Sequence, residues 1–356
     1  MRILMQNRSN AFSQRGGDTV VMERISQVLR NRGIESDFDG TGIVDYTKYD
    51  LVHLFNFALP DLTEQFARRC LDAKKKYVVT TLYEDWPLFY NQMLGFYEVV
   101  AHYVNSGQDR SKWPQLKSLT KSIEPSKHLN NSFTVSHASA LLVSGKSEEL
   151  AIRRDFPNAG KFRTIHFGCD IEGKSSDPEP FIQETGLQDF VLCVGRIETR
   201  KNQLMLLKAM EESDLTLVLG TGGFTYQPEY EAVCRKFKRR GKTHFIGKVG
   251  PEMLGSMFSA ARVHALPSWY ELPGIVSLEA ASLGCQVVGS DFGTLRDYLG
   301  SHAFYALPND EQSILNAINA AYYAPKNDSL EAVAKAYTWE SAATEVFSVY
   351  KEVIDS

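Results

Sequence analysis

Apolar runs alternate with amphipathic segments along the first eighty residues. The apolar runs have the length of β-strands, and the segments between them carry apolar residues at helical spacing. The predicted strands are 2–5, 51–55 and 77–82, and the predicted helices are 19–33 and 62–76. Such an alternation of strand and helix predicts a parallel sheet covered by helices.

The same alternation returns in the second half of the chain. The predicted strands are 190–195, 215–220, 243–247, 263–267 and 285–290, and the predicted helices are 202–210, 230–240 and 252–261. Residues 168–188, between the two series, are polar and rich in turn formers. The sequence therefore predicts an α/β fold of two doubly wound, Rossmann-like domains, with the ligand site in the cleft at the carboxyl ends of the strands.

The predicted boundaries place an N-terminal domain at 1–170 and a C-terminal domain at 171–337. The last segment, 338–356, has the pattern of an amphipathic helix, with Thr338 as its N-cap.

Residues 106–131 break the alternation. They are polar and lysine-rich, with Trp113, Leu116, Leu119 and Ile123 at roughly helical intervals. One interpretation is a solvated insertion that covers the N-terminal domain. The other is a helix that binds the acceptor or a membrane surface.

Composition narrows the functional classes. A chain of 356 residues fits two domains of about 150–180 residues each. The net charge of −4 gives no global reason to expect nucleic acid as a partner. The five cysteines are odd in number and form no CxxC pair, which argues against a disulfide framework or zinc cage. With no apolar run of about 20 residues, a cytoplasmic location is expected.

Two acids stand in the apolar stretch "WYELPGIVSLEAASLGCQVV", residues 269–288. Pro273 and Gly284 limit a helix to about 274–283, so Glu271 lies in the loop before it and Glu279 lies on it. The start of such a helix attracts phosphate, and a carboxylate on it can accept two sugar hydroxyls. The alternative is a pair of ordinary exposed acids.

Two cations follow the strand at 190–195, in "VGRIETRKNQLMLL". Arg196 and Lys201 project from its carboxyl end and suit a diphosphate, although a solvated pair is the commoner use of such residues. Gly16 and Gly17 precede the helix at 19–33. Paired glycines allow a ligand to approach the backbone or simply make a turn.

Taken together, these residues resemble the retaining glycosyltransferases of family 4, which have the two-domain GT-B fold. The resemblance covers most of the chain and rests on the glycine pair at 16–17, "FRTIHFGCD" (162–170), "VGRIETRKN" (194–202) and the long stretch from Leu266 to Gly293, in which Glu271 and Glu279 match the family's E-x7-E motif.

The resemblance implies a role for each of these residues. Catalysis would fall to Arg196 and Lys201, on the donor diphosphate, and to Glu271, beside the donor sugar. Donor binding would fall to Gly17, to the amides of Gly274 and Ile275, and to Glu279, which would bind the ribose. Gly16 is a possible further contributor. The C-terminal helix would cross back onto the N-terminal domain, and no cofactor or metal would be needed.

One departure concerns a histidine that the family usually has after an N-terminal strand. Tyr83 stands in its place, in "VVTTLYEDWP". His53 in the preceding strand is a possible substitute, although a lone histidine in an apolar strand is more often a hydrogen-bonded core residue.

The leading functional hypothesis is a retaining glycosyltransferase. It would move a sugar from a nucleotide-diphosphate sugar to a glycan or lipid-linked acceptor in bacterial surface polysaccharide biosynthesis. It would work in the cytoplasm, with possible peripheral contact at the inner face of the membrane. The alternatives are a catalytically impaired nucleotide-sugar-binding scaffold and a sugar-nucleotide epimerase of the same architecture.

Overall fold

The computed structural model describes residues 1–55, 57–119, 130–169 and 171–356. The strands are β1 (Arg2–Gln6), β2 (Glu35–Asp39), β3 (Leu51–Phe55), β4 (Tyr77–Thr80), β5 (Ala140–Val143), β6 (Phe162–Thr164), β7 (Phe190–Val194), β8 (Leu217–Gly220), β9 (Thr243–Ile246), β10 (Ala261–Leu266), β11 (Gln286–Ser290) and β12 (Phe304–Ala306). The helices are α1 (Gly17–Asn31), α2 (Pro60–Asp72), α3 (Trp86–Asn105), α4 (Trp113–Lys117), α5 (Ser132–His137), α6 (Lys146–Asp155), α7 (Glu179–Thr185), α8 (Gln203–Ala209), α9 (Pro228–Lys236), α10 (Pro251–Ala260), α11 (Ile275–Ser282), α12 (Leu295–Leu299), α13 (Glu311–Tyr323), α14 (Asp328–Lys335) and α15 (Trp339–Asp355). Within the described residues, no helix is long and apolar enough to cross a membrane.

The chain forms two compact units. The first comprises Met1–Glu84, Lys127–Gly168 and Tyr337–Ser356, and the second comprises Asp85–Ser126 and Cys169–Ala336. Their boundaries at 168/169 and 336/337 lie beside the predicted ones. The described residues 85–119 belong to the second unit, whereas the sequence-based boundaries place them in the N-terminal domain.

The first unit is built on a parallel sheet. Over the described residues it has six strands in the order β2-β1-β3-β4-β5-β6. The chain reverses its direction of travel across the sheet between β1 and β3, where α/β folds commonly bind ligands. Helix α15 packs against α1 in this unit. The predicted cap of α15 is confirmed, because the Thr338 hydroxyl accepts a hydrogen bond from the Ser341 amide at 3.1 Å.

The second unit repeats the design. Its described strands form a six-stranded parallel sheet in the order β12-β11-β10-β7-β8-β9. Strands β7 and β10 are buried along nearly their whole length, as expected where helices cover both faces of a parallel sheet. The chain reverses between these two strands. Their carboxyl ends therefore mark the expected ligand site of this unit.

Helices α3 and α4 pack on the second unit through an aromatic and ionic cluster. Trp113 is only 8% exposed, and its indole N–H donates to Glu311 at 3.0 Å. The Lys208 ammonium lies 4.5 Å from the centre of the Trp113 ring, and the Tyr103 hydroxyl donates to Glu211 at 2.9 Å. These contacts explain why residues 85–119 belong to the second unit.

The cluster also bears on the prediction for residues 106–131. Trp113 faces the interior of the second unit and Leu116 packs against the same core, whereas Leu119 is 64% exposed. Trp113 and Leu116 are therefore not part of a surface-binding helix face. Ile123 lies outside the described residues.

Candidate functional site

The centre of the candidate site is an ion pair at the chain reversal of the second unit. Lys201 lies in the single helical turn after β7, and Glu271 lies in the loop after β10. The Lys201 ammonium donates to the two carboxylate oxygens of Glu271 at 2.8 and 2.7 Å, and both side chains are nearly buried. Because β7 and β10 are adjacent, their following loops meet, and two residues seventy positions apart are brought together.

Burial and opposite charge shift the pKa values of both members of this pair. Burial acts to raise the pKa of Glu271, but the cations Lys201 and Arg200 outweigh it, and the net shift is downward. Burial lowers the pKa of Lys201, and Glu271 opposes that shift. An ammonium has three N–H groups, of which two point at Glu271, so the third can reach a phosphate oxygen.

The Glu271 loop is held by backbone contacts. The Trp269 amide donates to the Arg200 carbonyl at 2.9 Å, and the Thr294 amide donates to the Glu271 carbonyl at 3.0 Å. Gly293, with φ of 100°, lies so close that a Cβ there would meet the Glu271 carbonyl oxygen at 2.3 Å. The peptide bond between Leu272 and Pro273 is cis. The position of the carboxylate is therefore fixed by the backbone around it.

Helix α11 begins immediately after this loop, within one residue of the predicted start. Gly274 is its N-cap, in the left-handed conformation with φ of 79°. A glycine there has no side chain with which to cap the first turn. The amides of Ile275 and Val276 precede those of Ser277 and Leu278, which donate to the Gly274 carbonyl at 2.8 and 3.2 Å. The first two amides of the helix therefore form an anion-binding end beside Glu271.

Glu279 lies in the second turn of α11. Its carboxylate accepts a hydrogen bond from the Lys174 ammonium at 3.0 Å, and the two side chains are 11% and 8% exposed. The interpretation of Glu279 as an ordinary exposed acid is therefore wrong. Lys174 comes from the polar boundary segment and was not among the predicted site residues.

Arg196 is held by different partners from Lys201. Its guanidinium pairs with Glu198 and lies over two exposed aromatic rings, at 5.7 Å from the centre of Phe224 and 5.3 Å from that of Tyr226. The side chain keeps 25% of its surface exposed. The side chain is therefore accessible at the carboxyl end of β7, and its role on a diphosphate stays a prediction.

In the first unit, the glycine pair makes the N-terminus of α1 beside the chain reversal. Gly16 is the N-cap, and a Cβ there would meet the Asp18 carboxylate at 2.7 Å. The space around the Cβ position of Gly17 is open. Asp18 is buried against Arg8, whose Nε donates to it at 3.1 Å. Gly17 therefore offers the kind of exposed backbone to which a ligand can bind closely.

The two candidates for the family histidine are both buried in the first unit. His53 has no solvent exposure, and its ring nitrogens hydrogen-bond to Tyr350 at 2.6 Å and Thr80 at 2.7 Å. Burial lowers its pKa to about 3. The Tyr83 hydroxyl donates to the Asp155 carboxylate at 2.6 Å, and Tyr83 is only 3% exposed. Both side chains are used inside the core, and a contribution of either one at the donor sugar stays a prediction.

Several site residues were missed by the sequence reasoning. They are Lys174, Glu198, Arg200, Phe224, Tyr226 and Gly293. Lys174 is 105 positions from Glu279, so no local pattern marks it, whereas Gly293 ends the stretch that carries the resemblance but was given no role there. Phe224 and Tyr226 could have been suspected, since they follow the glycines of "LGTGG" at the end of a predicted strand.

Comparison with known proteins identifies part of the chain. The family model for glycosyl transferases group 1 matches residues 179–338, which include Arg196, Lys201, Glu271 and Glu279. Residues 179–338 are a glycosyl transferases group 1 domain. The domain lies within the second unit except for its last two residues.

Relatives of the chain include two from Escherichia coli. O-antigen chain mannosyltransferase B is 28% identical over 264 residues, or 68% of this chain and 65% of the relative. O-antigen chain mannosyltransferase C is 24% identical over 90% of this chain and 88% of the relative. The match thus spans just under two thirds of the first and most of the second.

Solved structures extend the likeness to the whole chain. Sucrose-phosphate synthase from Thermosynechococcus elongatus aligns with a TM-score of 0.73 at 18% identity, over 100% of this chain and 99% of that one. Anabaena HepE in complex with UDP aligns with a TM-score of 0.69 at 16% identity, over 99% and 100%. The fold is GT-B, with two Rossmann-like units, as the sequence predicts.

Proposed function

We propose that the chain is a retaining glycosyltransferase that uses a nucleotide-diphosphate sugar as its donor. The observation that carries this proposal is the buried pair of Lys201 and Glu271 beside the uncapped start of α11, within a glycosyl transferases group 1 domain. Cations and free amides suit a diphosphate, and a fixed carboxylate suits sugar hydroxyls.

The transfer develops positive charge on the sugar and negative charge on the leaving diphosphate. Lys201 and Arg196 interact more strongly with that diphosphate in the transition state than in the ground state, and so accelerate the transfer. Glu271 orients the donor sugar, and Glu279 accepts the ribose hydroxyls. In a same-face reaction the leaving phosphate takes the acceptor's proton, so neither a protein nucleophile nor a metal is needed.

The acceptor is proposed to be a glycan or a lipid-linked glycan of bacterial surface polysaccharide. Support comes from the E. coli relatives, which are O-antigen chain mannosyltransferases. Their names also make a nucleotide-diphosphate mannose the first donor to test. Gly17 and the open backbone around it are the proposed contact of the first unit with substrate.

A donor screen tests this proposal. The full chain is incubated with a panel of nucleotide-diphosphate sugars, and its thermal unfolding is measured, because a ligand that binds the native state raises the melting temperature. One donor should stabilise the chain and be slowly hydrolysed to its nucleoside diphosphate. Retention is then read from the anomeric configuration of the product formed on an acceptor glycan.

A second candidate, a scaffold that binds nucleotide sugar without turnover, is favoured by one observation. His53 and Tyr83, the two predicted substitutes for the family histidine, are both hydrogen-bonded inside the core. Saturable donor binding with no hydrolysis and no transfer would select the scaffold. Isomerisation of the donor sugar would select an epimerase, and no stabilisation by any donor would reject the proposed function.

A further inference from the structure

Lys174 lies in the polar segment that precedes α7 in the second unit, and its side chain is buried there. Only 8% of that side chain is exposed, and its ammonium donates to Glu279 at 3.0 Å. The next residue, Ser175, packs so closely on α10 that a Cβ at Gly255 would meet its amide nitrogen and its carbonyl oxygen at 2.5 Å each. The backbone at Lys174 and Ser175 is thus packed closely against α10.

A lysine in a polar segment is ordinarily solvated, because burying an ammonium is unfavourable unless it is paired. Lys174 is buried with an acid that is itself on the helix whose start faces the proposed diphosphate. Removing either partner takes away this compensation for the charge of the other, in a site that is mostly closed to water. An ion pair of this kind holds both side chains in one geometry, which constrains the otherwise flexible glutamate.

The ion pair with Lys174 bears on how Glu279 can bind sugar hydroxyls. A carboxylate has two oxygens with about four lone-pair sites, so one carboxylate can accept from an ammonium and from two neighbouring hydroxyls. Bidentate recognition of a diol requires the plane of the carboxylate to be fixed. Lys174 is placed to fix the plane of the Glu279 carboxylate, because its ammonium donates to one carboxylate oxygen.

We propose that Lys174 is a positioning residue that orients the Glu279 carboxylate toward the two ribose hydroxyls of the donor, and thereby sets the preference for a ribonucleotide over a 2′-deoxyribonucleotide. This inference rests on the proposed function, in which Glu279 binds the ribose. It adds a residue outside the matched domain to the recognition of the donor.

The test compares dissociation constants of the full chain for GDP, for UDP and for their 2′-deoxy analogues, measured by calorimetry. The unaltered chain should bind its ribonucleotide about tenfold to a hundredfold more tightly than the deoxy form, the range for a hydrogen bond to a charged group. Lys174→Met should lose most of that preference, and Lys174→Arg should keep part of it. Lys238→Met, which removes the same charge from an exposed position of the second unit, should leave it unchanged.

Glu279→Gln separates failure of the inference from failure of the proposed function. If Glu279→Gln abolishes the preference while Lys174→Met retains it, the positioning role is wrong and the ribose role stands. If both variants retain the preference, Glu279 does not bind the ribose and both statements fail. Support is strongest if Lys174→Met has no further effect in the Glu279→Gln background, because a shared function is non-additive. Should Lys174→Met not fold, Lys174→Gln carries the same comparison.

Discussion

Replacing Lys201 by methionine should strongly destabilise the second unit at neutral pH. The ammonium lies 2.7 Å from the Glu271 carboxylate, so at an effective dielectric constant of about 20 the attraction lost is about 6 kcal/mol. Part of this is returned because Lys201 no longer has to be desolvated. Breaking a buried pair from one side costs about 3–5 kcal/mol in net terms, since the remaining charge is left uncompensated. Arg200 partly compensates Glu271, which favours the lower end of that range.

The sign of the pH dependence follows from Glu271. In the unaltered chain its folded pKa is below the ordinary value of 4.5, so its contribution to stability is present above pH 4.5 and is lost as the pH falls through the folded pKa. In Lys201→Met, burial acts with much less opposition and raises the folded pKa of Glu271. The penalty of the variant is therefore largest at neutral pH, and it shrinks as the pH falls toward 4.5.

Urea unfolding at pH 7 and pH 5 measures both effects. Lys201→Met should be less stable at pH 7 by about 3 kcal/mol, with a smaller deficit at pH 5. The double variant Lys201→Met, Glu271→Gln should recover most of the loss, because no buried charge is left unpaired. A deficit below about 1 kcal/mol, or no recovery in the double variant, would show that the two charges are solvated and that the reasoning is wrong.

Gly293→Ala should displace the Glu271 loop and reduce turnover. The control is Gly247→Ala in the same unit, where nothing lies within 4 Å of the added Cβ and φ is not positive, and it should keep activity. His53→Gln should weaken the acid sensitivity of the first unit. The folded pKa of His53 is about 3, so at pH 5 the residue binds a proton only in the unfolded state. This lowers the free energy of unfolding of the unaltered chain by about 2 kcal/mol between pH 7 and pH 5, and urea unfolding should show no such contribution in His53→Gln. Sugar transfer should persist in excess EDTA. Loss of transfer in EDTA would show that the reaction depends on a metal ion.

Much of the fold follows from the pattern of apolar residues, but strands without such a pattern do not. Strands β1, β3, β7 and β8 were predicted because they are continuous apolar runs. Strand β2 was missed since its sequence, ESDFD, has acids at alternate positions and only one apolar residue. Its pairing with β1 depends on neighbours that no local pattern shows.

The site shows the same division between local and distant causes. The joining of Lys201 and Glu271 follows from the strand order, which places their loops side by side. The start of α11 follows from Pro273 and Gly274. The partners of Glu279 and His53 could not be predicted, because Lys174 and Tyr350 are 105 and 297 positions away along the chain.

Neither unit is one uninterrupted stretch of sequence, and this affects how the gene can be divided. A fragment starting at residue 169 would lack α3 and α4, which supply Tyr103 and Trp113 to the core of the second unit. Recombination with a relative at that point would combine the helices of residues 169–336 with the α3 of the relative. Functional hybrids should therefore require that residues 85–119 travel with 169–336, although the two are separated by a segment of the other unit.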